Sequence, residues 1–281
     1  MGAAITVVGS VNLDFVATAK TLPAPGETVT GATLARHPGG KGANQALAAA
    51  RLGAEVSMIA CVGQDAFADE ALVLLKAEGV NLSRCLIDAK TSTGVALIAV
   101  DAKGENQIVV APGANAAFHA PHLTDPIEGA LICQLEIPVE TVARAVALTG
   151  GFVCLNLAPA AEIPEALMAR ADLIVVNETE AAFYGPRLHD ADGLVAVTLG
   201  ARGATLFKAG EQIAVAIPPR VHAVDATGAG DAFVGALVVA LIEGQEPHDA
   251  LAFACAAGAL TATRPGAQPA LPRRAEVEAL L

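Results

Sequence analysis

Short apolar runs that alternate with helical patterns constrain this chain more than any other feature. Ile5 to Gly9, Val56 to Val62, Ala130 to Gln134, Phe152 to Leu157, Leu173 to Val176 and Leu194 to Leu199 read as strands. Helices lie between them. The clearest begins at Asp65 as N-cap, places Phe67, Ala71, Leu74 and Leu75 on one face and stops at Gly79. Another starts with Pro138 and carries Val142 and Val146 towards Gly150. Strand, helix, strand in succession implies right-handed crossovers, and so an α/β fold with a central, mostly parallel sheet covered by helices on both faces. Apolar residues make up 54% of the chain and aromatics only 3%, so its packing must rest on Ala, Val, Leu and Ile.

Two segments break the rhythm. Leu13 to His37 is rich in Thr, Gly and Pro, and Thr91 to Val110 reads as two strands around the turn Asp101-Ala102-Lys103-Gly104. Each leaves the main domain and returns to it, as a flap built from two insertions would. The expected division is a main domain of residues 1–12, 38–90 and 111–281 and a small β lid of residues 13–37 and 91–110. Near the end of the chain, Ala229 to Glu243 and Asp249 to Thr263 are almost uniformly small and apolar, which predicts two helices buried on most sides.

The formal charge of −12 argues against nucleic acid or an anionic membrane as partner, because neither would meet a basic field. Any phosphate ligand must be held locally. The five cysteines lack C-x-x-C spacing and read as reduced core residues. The segment Met1 to Gly9 has no basic n-region, so no export is expected. Met1-Gly2-x-x-x-Thr6 fits a myristoylation pattern formally, but a first strand explains Thr6 better. The long uncharged stretches are broken by Pro, Gly, Asn or His, so a soluble, cytoplasmic protein is expected.

Three motifs carry candidate chemistry. Asp225-Ala226-Thr227-Gly228-Ala229-Gly230-Asp231 runs directly into an apolar helix, where glycines permit close backbone approach and the helix start offers unpaired N–H groups to an anion. It is neither a Walker A loop nor G-x-G-x-x-G, and a plain Gly-rich turn with an ordinary helix-start carboxylate fits the same residues. Gly39-Gly40-Lys41-Gly42-Ala43-Asn44-Gln45-Ala46 places a cation and an amide at another helix mouth, suited to hydroxyl-rich ligands or, alternatively, a capped turn with a solvated lysine. Asn12 and Asp14 follow the first strand on one side of the chain and could bind neighbouring hydroxyls or serve a turn.

The Gly39 to Asn44 and Asp225 to Asp231 motifs, in this order and separation, resemble the two signatures of the ribokinase-like (PfkB) carbohydrate kinases. Pro25-Gly26-Glu27-Thr28, Gln134-Leu135-Glu136, Asn177-Glu178-Thr179-Glu180, Thr198 to Gly203 and Arg264 to Gln268 add to the resemblance, which spans nearly the whole chain. It implies a three-layer α/β/α domain with a β lid, and transfer of phosphate from ATP to the 5-hydroxyl of ribose or a similar small sugar. By the same resemblance, Asn12, Asp14, Gly40, Lys41, Asn44 and Glu136 would hold the sugar, and Asp231 would be the general base. Gly228, Ala229 and Gly230 would form an anion hole. Asn177 and Glu180 would organise Mg2+ and phosphate through water, while Thr198, Gly200, Gly203, Gly230 and Cys255 would border the nucleotide. Asp225, Thr227, Thr261, Arg264, Gly266 and Ala270 would surround a monovalent cation, K+ in preference to Na+.

Some positions depart from the family pattern. The stretch from Glu180 to Thr198 is short, leaving room for about two helical turns near Thr179 to Tyr184. Cys255 stands where a histidine often lies beside adenine, Ala226 replaces Thr or Pro, and Ala270 replaces a serine, which predicts weaker dependence on K+. A nucleoside kinase would want aromatic stacking in the flap, which contains only Phe15, and a phosphosugar kinase would want clustered flap cations. A dehydrogenase would need a dinucleotide fingerprint that Gly9-Ser10-Val11-Asn12 lacks. A non-catalytic sugar-binding regulator would be expected to lose Asp231 or its glycines. Unpaired flap edges favour a homodimer joined through the lid.

Overall fold

A computed structural model describes residues 3–281. The chain opens with β1 (Ala4–Val8), β2 (Asn12–Thr18), β3 (Thr33–Gly39), α1 (Lys41–Arg51), β4 (Glu55–Ile59) and β5 (Cys61–Gly63). It continues through α2 (Ala66–Ala71), α3 (Val73–Ala77), β6 (Leu86–Asp88), β7 (Gly94–Val100), β8 (Asn106–Ala111), β9 (Ala130–Gln134) and α4 (Val139–Ala147). Next come β10 (Val153–Asn156), α5 (Glu165–Arg170), β11 (Leu173–Asn177), α6 (Glu178–Tyr184) and β12 (Leu194–Thr198). The chain closes with β13 (Ala204–Lys208), β14 (Glu211–Ala216), α7 (Ala229–Ile242), α8 (Pro247–Thr261) and α9 (Arg274–Glu278).

Among the described residues the main sheet has eight strands in the order β14-β13-β12-β11-β10-β9-β1-β4, paired in parallel except on either side of β13 at one edge. Alternate residues of each central strand enter different cores, as a sheet covered on both faces requires. Val7 and Ile132 pack in one cluster with Leu47 of α1, Leu237 of α7 and Leu251 of α8; Val8 and Leu131 pack in the other with Val142 of α4 and Tyr184 of α6. The strand order reverses between β1 and β9. In open α/β sheets such a switch point, at the carboxyl ends of the strands, is where ligands bind.

A second sheet, β3-β2-β7-β8, is formed by the two segments that break the main rhythm. Asn12 pairs with both Gly39 and Gly94, so β2 stands between β3 and β7 from its first residue. Strand β8 is exposed at every position.

The structure refines several boundaries. The run Val56 to Val62 is two strands, because the chain leaves the main sheet at Ala60, whose carbonyl accepts from Leu86 N, and β5 then pairs with β6. The helix capped by Asp65, whose side chain accepts from Ala68 N, loosens at Leu72 into α2 and α3 while the i→i+4 ladder continues across the joint. The short stretch before Thr198 holds α6 alone plus a 3-10 turn at Gly185–Leu188. All five cysteines are free, and burial pushes Cys85 and Cys255 up to about 11. Thr6 lies in β1, while Met1 and Gly2 of the lipidation pattern lie outside the described residues. Among the described residues no helix is long and apolar enough to cross a membrane.

Candidate active site

The carboxyl ends of the central strands carry the polar residues. Asn12 follows β1, Gln134 ends β9 with Glu136 just beyond, Asn156 ends β10, Asn177 ends β11 and Thr198 ends β12. Against them point the N-termini of α1 and α7, capped by Gly40 and Gly228. A cleft of about 230 Å³ opens where they meet, with Lys41, Asn177, Glu180 and Thr198 on its walls and Gly230 and Asp231 at its base.

Asp231 is buried in the first turn of α7. Its Oδ2 accepts from Asn44 Nδ2 at 2.8 Å and its Oδ1 from Gln45 Nε2 at 2.9 Å. Helix geometry leaves the N–H groups of Gly230 and Asp231 without intrahelical partners. Ala229 N instead donates to Ala226 O at 3.1 Å, so of the three residues expected to form an anion hole Ala229 has its amide engaged in the preceding turn.

The residues expected to hold a sugar form one cluster. Asn115 Nδ2 donates to Asn12 Oδ1 at 2.8 Å, which leaves Asn12 Nδ2 as the end that can donate to a ligand. Glu136 Oε2 accepts from Ser10 Oγ at 2.6 Å and from Lys41 N at 3.1 Å. Burial, then the nearby carboxylates of Glu136 and Asp231, push Asp14 up to about 7. Lys41 sits among opposite charges: Asp231 above all, opposed by burial but helped by Glu136 and Glu180, holds its ammonium above the usual lysine range. Asn44 Oδ1 is buried without a protein partner, so a hydroxyl donor would satisfy it.

Asn177 and Glu180 form a capping box at the start of α6, each side chain accepting from the other's N–H at 2.8 Å. Burial raises Glu180, opposed by that N–H and by Lys41. One carboxylate oxygen and one amide nitrogen remain for other partners. The short segment before Thr198 therefore keeps Glu180 at the cleft wall.

Gly200, Gly203 and Cys255 lie away from this cleft. Gly203 and Cys255 converge on the carbonyl of Ala216 in β14: a Cβ on Gly203 would lie 2.0 Å from that oxygen, and Cys255 Sγ is 3.7 Å from it. Gly200 begins the 3-10 turn before Gly203.

The loop around Asp225 forms a further group. Asp225 Oδ1 accepts from Thr227 N and Oγ1 and its Oδ2 from Gly266 N at 2.8 Å, and although burial works the other way these bonds hold its carboxyl below the usual range. Thr261 Oγ1 donates to Ala257 O and keeps its lone pairs, whereas Arg264 pairs with Glu276 and Ala270 has no polar side chain, so these last two could offer a cation main-chain oxygen alone. Among the described residues no cluster of three or more His, Cys, Asp or Glu could hold a metal ion.

Sequence reasoning missed Ser10, Gln45, Asn115, Gln134 and Asn156 as site residues. A polar residue closing an otherwise apolar strand, as Gln134 and Asn156 do, is the signal that could have found two of them.

With this geometry in view, comparison with known proteins is informative. Residues 3–274 match the pfkB family carbohydrate kinases, and the chain belongs to that family. It is similar to the ribokinase of Bacillus subtilis, 38% identical over 292 residues with 99% of each chain covered. It is also similar to the ribokinase of Schizosaccharomyces pombe, 37% identical over 309 residues with 98% of this chain and 96% of that one covered. Among solved structures, Arabidopsis thaliana ribokinase complexed with ribose and ATP is 30% identical with a TM-score of 0.83, covering 100% of this chain and 99% of that one.

Proposed function

We propose that this protein transfers the γ-phosphoryl group of ATP to the 5-hydroxyl of D-ribose, with Asp231 as general base. The observation that carries this reading is the placement of Asp231. It is a buried carboxylate at a helix N-terminus, held by Asn44 and Gln45, with Lys41 beside it on one cleft. Asn12, Asp14, Gly40, Lys41, Asn44 and Glu136 hold the sugar. As the ribose oxygen bonds to phosphorus and the bond to ADP breaks, Asp231 takes the hydroxyl proton. Phosphoryl transfer needs in-line positioning and charge relief more than covalent chemistry, and the α7 N-terminus supplies part of that relief at Gly228 and Gly230.

The donor set at the end of β11 fits Mg2+ held chiefly by substrate phosphates and water, with Glu180 and Asn177 as outer partners. When bound, Mg2+ neutralises charge on the transferring group. Thr198 borders the nucleotide phosphates, and Gly200, Gly203 and Cys255 its far end. Asp225 and the carbonyls of residues 227, 261, 264, 266 and 270 offer K+ one carboxylate among neutral oxygens, and the lack of a serine at Ala270 makes the response to K+ weak.

Ribose is favoured over a nucleoside because the flap's single aromatic, Phe15, packs edge-on against Phe67 with ring centroids 5.5 Å apart. Residues 13–37 and 91–110 act as the lid. Strand β8 ends that sheet with Ile108, Val109 and Val110 all exposed, on both faces of one strand, which favours a second copy pairing there to form a homodimer. Five free thiols, raised by burial wherever they lie deepest, fit the reducing cytoplasm. An ADP-coupled assay with ribose, fructose, 2-deoxyribose and adenosine tests the reading. Highest kcat/KM with ribose is expected, and turnover of adenosine alone would refute it.

A further inference from the structure

Behind Asp231 runs a line of buried side-chain amides contributed by three different elements. Gln45 of α1 is fully buried; its Nε2 donates to Asp231 Oδ1 at 2.9 Å and to Asn156 Oδ1 at 3.0 Å, and its Oε1 accepts from Gln134 Nε2 at 2.6 Å. Asn156 Nδ2 in turn donates to Val175 O at 3.1 Å.

The direction of every amide in this line follows from its end. An ionised carboxylate only accepts, so Asn44 and Gln45 must both turn nitrogen towards Asp231. The oxygen of Gln45 then faces Gln134, which must answer with its nitrogen. Asn156 must accept from Gln45, so its own nitrogen goes to a backbone carbonyl. Gln134 Oε1 is left over, buried without a partner and 2.0 Å from where a Cβ on Gly9 would stand. A glycine at position 9 is therefore required for Gln134 to reach Gln45 at all. An apolar side chain at 134 would fill this core more cheaply than a half-satisfied amide.

We infer that Gln45, backed by Gln134, is a positioning residue for phosphoryl transfer. With one amide on each oxygen the carboxylate of Asp231 is held in a single plane, and the lone pairs left over point in fixed directions towards an incoming hydroxyl. The inference rests on Asp231 being the base, as proposed above. Small errors of placement at a reacting group can cost about 10²-fold in rate, which is why a residue that never touches substrate can matter.

Gln45→Met keeps the length of the side chain and removes its donor. Measured with ribose and saturating ATP, kcat should fall about 10- to 100-fold while KM for ribose stays within about threefold. Gln134→Met, which leaves Gln45 in place, should lower kcat about two- to tenfold, and it carries the test if Gln45→Met does not fold. In an Asp231→Asn background, Gln45→Met should lower the residual kcat by less than about threefold, because the group it positions is gone. Equal losses in both backgrounds would show a role independent of Asp231 and overturn the inference, as would kcat within twofold of the parent in both Gln45→Met and Gln134→Met. A parent protein that turned over no sugar would instead overturn the functional reading, and this inference with it.

Discussion

The cluster proposed to hold the sugar and the loop around Asp225 meet at the start of α7, yet they are built in opposite ways. In that cluster the side chains are aimed and held: Asn115 orients Asn12, Ser10 and Lys41 N pin Glu136, and Asn44 and Gln45 pin Asp231. In the loop, the Asp225 carboxylate pins the chain to Thr227 and Gly266 N, while the neighbouring side chains face elsewhere, with Thr261 bonded to its own helix and Arg264 to Glu276. Chemistry at the first region depends on which side chain is present. At the second it depends on the path of the backbone.

That contrast can be broken most readily at Asp231. Asp231→Asn removes the proton acceptor while preserving shape, and kcat for ribose should fall about 10²- to 10⁴-fold. Turnover near normal would remove Asp231 from the chemistry. On the other side the backbone should matter more. Gly228 has φ +77, and a Cβ there would lie 3.0 Å from Ala267 Cα, so Gly228→Ala combines left-handed strain with a tight contact. Its expected cost is about 1–2 kcal/mol in thermal unfolding, with a rise in KM for ATP larger than any rise in KM for ribose. An unchanged melting temperature and unchanged KM for ATP would argue that this turn tolerates side chains.

Asp14 sharpens the comparison through pH. Its folded value near 7 lies above the ordinary 3.8, so the folded state holds this proton more tightly than the unfolded one. The stability linked to it is fully present below about pH 4 and is lost as pH rises through 7. Asp14→Asn should therefore melt higher than the parent at pH 8 and by a smaller margin at pH 5, while binding ribose more weakly at pH 8. KM for ribose in the parent should rise as pH falls from 8 to 6, because a protonated Asp14 loses half its acceptor character. A KM flat across that range would contradict its assignment to the sugar. The smallest effect belongs to Arg264→Ala, which removes a half-exposed ion pair and should cost about 0.2–1 kcal/mol with kcat within twofold.

Much of this architecture was legible in the sequence because it depends on local pattern. Five of the six apolar runs, and the first part of Val56 to Val62, fall in parallel strands of the main sheet, and the two segments that break the rhythm form a sheet of their own. The edge hairpin β13–β14 was passed over although Ala209-Gly210, at φ 50 and 75, is a two-residue turn between two apolar stretches. Its signal was weak because only Ala214 and Ala216 of β14 are buried, and alanine gives little alternation. The split of Val56 to Val62 is invisible locally, since the partner that draws β5 away lies at Leu86 to Asp88. The same limit applies to the amides behind Asp231. Gln45, Gln134 and Asn156 are brought together from α1, β9 and β10, and no spacing along the chain marks them as a unit.

The central claim is that Asp231 and the turn before it face the acceptor hydroxyl and the terminal phosphate together. A crystal structure with ribose, Mg2+ and a non-hydrolysable ATP analogue tests this most directly. The ribose 5-hydroxyl is expected within hydrogen-bond distance of an Asp231 carboxylate oxygen, with the γ-phosphate against the amides at Gly230. A sugar bound with its 5-hydroxyl turned away from Asp231, or a γ-phosphate held at another helix end, would contradict it.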